Sequence, residues 1–197
     1  MIYSVLGKEK GNEYKEETSS IEYKDPCVFM QDDKYIYCEL RKTDDVYEDI
    51  KNRIAIEITE PNLRINGGKL HSYLGLEYPE LLVYLKDKET KEIVGYVGLT
   101  ENYAVGLYIS QIAVKNQYRH MGIGSILVKE AIRRAYEKGI DTVSADISYD
   151  NELSLALFSK HDFVGSGRYF VDVYKYMKNN FSDISNELTE QSNGRSF

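Results

Sequence analysis

The sequence predicts an α/β (α+β) fold, a mixed and mostly antiparallel central sheet flanked by helices, and three observations carry that expectation. Residues 81–86 and 92–100 are apolar, β-branched runs joined by the polar turn Asp87-Lys88-Glu89-Thr90, the pattern of a β-hairpin. Residues 105–114 make a further strand-like run that ends just before the glycine-containing segment Gln117 to Ser125. From Ile123 the apolar positions Ile126, Leu127, Ala131, Ile132, Ala135 and Tyr136 recur at three and four, which is an amphipathic helix stopped by Gly139.

The remaining elements follow in order. The first 80 residues hold all three prolines (Pro26, Pro61, Pro79), the pair Gly67-Gly68 and the acidic run Asp44-Asp45, so this part is punctuated and irregular. Residues 34–41 alternate like a strand. Residues 44–58 read as a helix capped by Thr43 that ends in extended structure at Ile54-Ala55-Ile56-Glu57-Ile58. Beyond Gly139, residues 142–148 form a strand and residues 151–161 a short helix, and residues 163–177 form two strands around Gly165-Ser166-Gly167. Strand, crossover helix and strand imply one parallel pair, the place where such a sheet can splay apart and admit a ligand.

At 197 residues the chain suits one domain with a real core, here taken as residues 1–178, followed by a polar tail over 179–197 that is mobile or loosely docked. The net charge of -7, with both signs spread along the sequence, argues against a nucleic-acid partner and is compatible with attracting a cation. Cys27 and Cys38 match no metal-ligand spacing, and His71, His120 and His161 lie far apart, so no metal is expected and the cysteines read as reduced thiols. No apolar stretch approaches the roughly 20 residues of a membrane span. The expected location is cytoplasmic, with no membrane partner.

The glycine segment carries the chemistry. Gly122 and Gly124 remove side chains, so backbone N–H groups can close on a ligand oxygen while the free amides of the first helical turn add partial positive charge. A bound pyrophosphate satisfies them; a tight turn that binds nothing is the plain alternative. The dinucleotide fingerprint lacks its third glycine here, and the nucleoside-triphosphate loop lacks its Gly-Lys-Ser/Thr.

The segment Arg119-x-x-Gly122-x-Gly124 resembles the Arg/Gln-x-x-Gly-x-Gly/Ala pattern of the GNAT superfamily of N-acetyltransferases. Upstream, Ile112-Ala113-Val114 is similar to the strand end that lies along the pantetheine arm. Downstream, Asn151-x-x-Ser154-x-x-Leu157-Phe158-x-Lys160-x-x-Phe163 is similar to the family's Asn-x-x-Ala-x-x-Leu-Tyr-x-x-x-Gly-Phe helix. The resemblance covers residues 81–178, with residues 1–80 as a variable acceptor-side part.

It implies a GNAT-like sheet whose strands splay at the cofactor site, acetyl-CoA as co-substrate, and a primary amine of a small molecule or peptide as acceptor, including a cationic antibiotic or polyamine. A homodimer is the assembly it suggests. The implied cofactor-binding residues are Ile112, Ala113 and Val114, then Arg119, His120, Met121, Gly122, Ile123, Gly124 and Ser125, then Asn151, Ser154 and Phe158. A solvated loop residue is the plain alternative for Arg119, and Asn151 serves at once as an ordinary helix N-cap. Asp146 lies twelve residues ahead of Phe158, the spacing at which ribosomal-protein acetyltransferases of the superfamily carry a strand glutamate and a helix tyrosine. It is the candidate base, acting through water, with a solvated or salt-bridged carboxylate as the alternative. Tyr108, Ser110 and Gln111 on the preceding strand offer no good base. Phe158 stands where the family has the tyrosine that protonates the departing sulfur, and phenylalanine donates no proton. Tyr149, Ser154 and Tyr169 are the possible substitutes, with Tyr149 as the catalytic candidate. The leading expectation is an acetyl-CoA-dependent N-acetyltransferase. The rivals are an acyl-CoA-binding sensor or interaction module without turnover, and a structural domain whose glycine loop binds nothing.

Overall fold

The computed structural model describes residues 27–59, 79–102 and 106–181. Its centre is one eight-stranded sheet in the order β1-β2-β3-β4-β5-β6-β8-β7. The strands are β1 (Val28–Gln31), β2 (Tyr35–Arg41), β3 (Leu81–Asp87), β4 (Ile93–Asn102), β5 (Gly106–Val114), β6 (Thr142–Asp146), β7 (Val164–Ser166) and β8 (Arg168–Asp172). Every pairing is antiparallel except β5 with β6, and those two are in register only at Leu107 with Val143 and Tyr108 with Ser144. Past Tyr108 the parallel neighbours part.

Each face of the sheet is covered. On one face α2 (Ile123–Glu137) lays Ile123, Leu127, Val128, Ala131, Ile132 and Ala135 against Val83, Val97, Leu99, Leu107 and Val143, joined by Phe158 of α3 (Glu152–Ser159) and by Val173, Tyr176 and Met177 of α4 (Val173–Asn180). Side chains of this size each contribute roughly 1.5–3 kcal/mol when fully buried, so the apolar stripe of α2 fixes how that helix lies on the strands. On the other face α1 (Tyr47–Ile54) packs Tyr47 and Ile54, with Ile58 beyond it, on Leu40, Leu82, Tyr84, Ile93 and Tyr96. Tyr47 also donates from its hydroxyl to the Pro79 carbonyl at 2.8 Å.

Three expectations are corrected. Residues 54–58 are not extended: α1 continues into a π-helical turn, Ala55–Thr59. Their alternation of isoleucines suggested a strand, but Ile54 and Ile58 are fully buried while Ile56 is 63% exposed, so the four-residue spacing orients the segment. Thr43 does not cap α1, because Val46 occupies the N-cap position without a side-chain bond, while Asp44 accepts from the Arg41 amide. Residues 173–177 are helix rather than strand. Asp172 caps them by accepting from Lys175 N at 2.8 Å, and Val173, Tyr176 and Met177 then share one buried face. The helix α4 runs from Val173 through residue 178 to Asn180.

The short edge strand β1 was not foreseen, all four of its residues being exposed. Pro26, Pro61, Gly67-Gly68, His71 and residues 182–197 of the tail lie outside the described residues. Among the described residues no helix is long and apolar enough to cross a membrane.

Candidate active site

Directly after β5 the chain enters a single 3-10 turn, Asn116–Tyr118, and then the bend that begins α2. Glu92 fastens that turn to the start of β4, accepting from Lys115 Nζ at 3.1 Å, the Tyr118 hydroxyl at 3.3 Å and Gln117 Nε2 at 3.4 Å. His120 and Gly122 both have positive φ, 64° and 84°. A β-carbon on Gly122 would meet nothing within 4 Å, so glycine is demanded there by the left-handed backbone and not by a neighbour. At Gly124 the reason differs: a β-carbon would come within 3.2 Å of Leu157 Cδ2, so the missing side chain lets α2 and α3 touch.

The bend leaves donors without partners. Among the described residues no acceptor takes the amides of His120, Met121, Gly122, Ile123, Gly124 and Ser125. Six consecutive N–H groups at a helix N-terminus form a cradle for an anion.

A cavity of about 510 Å³ lies against this cradle. Ile112, Ala113 and Val114 of β5 line one side, Arg119, His120, Gly122, Ile123, Gly124 and Ser125 the floor, and Asn151, Ser154 and Leu157 of α3 the other side. Asn151 also caps α3, accepting from Ser154 N at 3.1 Å, so its capping role holds. A second cavity, about 340 Å³, opens between the diverging β5 and β6. Ser110, Gln111, Asp146, Ser148 and Phe158 line it, and Gln111, Ile112, Asn151 and Ser154 border both cavities. Phe158 is 2% exposed and packs edge-on to Phe163 with ring centroids 4.9 Å apart.

Two residues named from the sequence stand apart. Tyr149 is 90% exposed and Met121 60% exposed, and neither lines either of these two cavities. Asp146 does reach the second cavity, but as one half of an ion pair. Arg168 donates Nε to Oδ1 at 2.7 Å and Nη2 to Oδ2 at 2.9 Å, and the Tyr108 hydroxyl donates to Oδ2 at 3.2 Å. The Arg168 guanidinium holds this carboxyl below the usual carboxylate range, while burial and then the Asp146 charge push the Tyr108 hydroxyl up.

Arg168 and Tyr96 are the residues sequence reading passed over. Arg168 meets Asp146 only because β6 and β8 pair in that register, and Tyr96, whose hydroxyl donates to Gln111 Oε1 at 2.6 Å, reaches the cradle cavity from β4. Neither carries a local signal, since both placements are set by strands far apart in sequence.

Comparison with known proteins agrees with this geometry. A family model described as the acetyltransferase (GNAT) family matches residues 43–163. The chain is 38% identical over 63 residues to N-alpha-acetyltransferase 30 of Xenopus laevis, a match spanning 32% of this chain and 23% of that relative. An acetyltransferase of the GNAT family from Staphylococcus aureus Mu50 superposes with a TM-score of 0.53 at 15% identity, covering 70% of this chain and 99% of its own. The ribosomal-protein-S18-alanine N-acetyltransferase of Escherichia coli does so at 0.51 and 13% identity, over 70% and 94%. These two likenesses establish the fold.

Proposed function

The chain belongs to the acetyltransferase (GNAT) family, and from that premise we propose that it transfers the acetyl group of acetyl-CoA to a primary amine of a small molecule or peptide. The observation that carries the proposal is the row of unclaimed amides from His120 to Ser125, placed beside the one parallel strand pair that comes apart. The residues fit the co-substrate. Cradle amides hold its diphosphate, with Arg119 adding charge, and the β5 backbone from Ile112 to Val114 receives the pantetheine amides as it would an added strand. Asn151 and Ser154 face that arm from α3. The thioester then lies where the two cavities meet, and the acceptor enters the second.

Transfer needs an uncharged amine, a stabilised oxyanion and a departing thiolate. Phe158 supplies no proton to the sulfur, but a thiol with a pKa of about 8.5 leaves tolerably as the anion. The partial identity to N-alpha-acetyltransferase 30 supports a peptide among the acceptors.

One rival keeps a specific observation in its favour. Phe158 has no hydroxyl and Asp146 is already paired, as expected of a sensor that binds acyl-CoA without turning it over. Calorimetric titration with acetyl-CoA, followed by thiol release across an amine panel, decides between them. We expect binding and release; binding with no release on any amine favours the sensor, and no heat at millimolar acetyl-CoA ends both readings.

A further inference from the structure

The opening between β5 and β6 has two unlike sides. Ile109, Ala145, Ile147 and Phe158 line it and belong to the apolar layer that α2 and α3 cover. The polar lining faces the other way: Gln111 is tied to Tyr96 of the layer under α1, and Asp146, next to Ala145 on β6, points to the opposite side of its strand. The four apolar residues are only 2% to 6% exposed although they line the cavity. On that side the opening is therefore a shallow recess in a close-packed layer. Phe158 closes it, and Phe163, itself buried, meets the Phe158 ring edge-on at an interplanar angle of 85°. A ring braced in this way has no void to turn into.

We propose that this recess receives the tail of the acyl group and that the ring of Phe158 ends it, so that Phe158 is the residue that restricts the donor to acetyl. This rests on the transfer reading above and deepens it. With the thioester where the two cavities meet, the alkyl end of its acyl group faces either the polar side or the apolar one, and burial of apolar surface places a methyl against Ile109, Ala145, Ile147 and Phe158. A longer chain must displace one of these side chains from a layer with few voids larger than a water molecule. One methylene in a hydrophobic pocket changes a rate by about 10- to 200-fold, so the preference for acetyl is expected to be steep.

The bond changes are the same for every acyl length. The amine lone pair forms the N–C bond to the thioester carbonyl carbon, and the C–S bond breaks with its electron pair on sulfur. The proton shed by nitrogen passes through water and ends on the thiolate, giving amide and free thiol. Chain length is thus read by the recess alone. Phenylalanine at 158 withholds a hydroxyl from the sulfur, and the bulk of its ring measures the group being moved.

The test uses the full chain with acetyl-, propionyl- and butyryl-CoA, measuring thiol release across the amine panel and the affinity of each thioester by calorimetry. In the parent, kcat/KM should fall at least about tenfold from acetyl to propionyl and fall again to butyryl. Phe158→Leu keeps the site apolar and shortens the side chain, and should raise the ratio of propionyl to acetyl turnover at least about tenfold. Ala145→Gly removes a methyl from the same recess without touching the Phe158–Phe163 pair, and should move the ratio in the same direction. It keeps the proposal testable if Phe158→Leu folds poorly. Both rates are read on one preparation, so a loss of stability lowers them together and leaves their ratio in place. A parent that uses the three donors equally, or a ratio unmoved by both variants, overturns the assignment of Phe158 while transfer stands. Thiol release from none of the donors ends the transfer reading, and calorimetry then decides the recess by itself: a Kd that rises with acyl length in the parent and levels in Phe158→Leu upholds it, and equal Kd values in the parent overturn it.

Discussion

Gly124 and His161 show how single residues bind the site to the fold. Gly124→Val places a branched side chain against Leu157, already 3.2 Å from the position of a β-carbon. Acetyl-CoA affinity measured by calorimetry should fall at least about tenfold, and the urea midpoint should fall by the equivalent of about 1–3 kcal/mol, the usual cost of overpacking. Retained affinity would mean that the cradle is not where the diphosphate binds. His161 follows α3 and is 3% exposed, its Nδ1 2.8 Å from the Tyr176 hydroxyl and its Nε2 without a partner among the described residues. Burial, then the positive charges of Lys129 and Lys160, lowers its pKa to about 4, with Asp162 opposing. The folded state therefore refuses a proton that the unfolded chain accepts. No penalty exists well above pH 6.5; it grows as pH falls below that value and levels off below about pH 4, near 3 kcal/mol. The sign is opposite for a histidine that gains an anionic partner. Urea titrations between pH 7 and 4 should show this slope in the parent and a weaker one in His161→Gln; equal slopes would assign the acid sensitivity elsewhere. Asp146 also has a lowered pKa, but its contribution is lost only as pH falls below the ordinary aspartate value of 3.8, so the two windows separate.

At the scale of elements, the sequence was most legible where one periodicity acted alone. The β3–β4 hairpin, β5 and the amphipathic stripe of α2 all stand where their patterns put them: β3 and β4 are continuous apolar runs buried on both faces of the sheet, and α2 buries a single stripe. Residues 54–58 and 173–177 misled because both are dense in β-formers while being held by a helical face. In the second case the polar signal was present: Asp172 is an N-cap, and its bond to the Lys175 amide is what ends β8 and starts α4. Asp172→Ala should cost about 1 kcal/mol in chemical denaturation. Asn151→Ala should cost a similar amount and, unlike Asp172→Ala, weaken acetyl-CoA binding, since Asn151 caps α3 and lines both cavities. Equal effects of the two variants on binding would remove Asn151 from the site.

For the whole molecule, the site lies where the sheet changes character. An antiparallel run from β1 to β5 meets the β6-β8-β7 unit through two paired residues, Leu107 and Tyr108, and the two cavities lie in the opening beyond them. A ligand bridging β5, the α2 cradle and α3 should therefore stabilise the entire fold. Acetyl-CoA at about one hundred times its Kd is expected to add roughly 2.7 kcal/mol, read as a concentration-dependent rise in Tm. A Tm unmoved by millimolar acetyl-CoA would contradict binding to the native state.

By itself the sequence determined the mixed sheet, the crossover from β5 through α2 to β6, and the anion cradle, because the alternation of apolar residues, helical periodicity and glycine backbone freedom are local properties written in neighbouring positions. Tertiary structure alone decided that Asp146 is neutralised, that Tyr149 faces solvent and that Phe158 is sealed against Phe163. Those outcomes depend on strand register and helix packing between segments distant along the chain, and the chemistry of a carboxylate or a hydroxyl is set by what such packing brings to it.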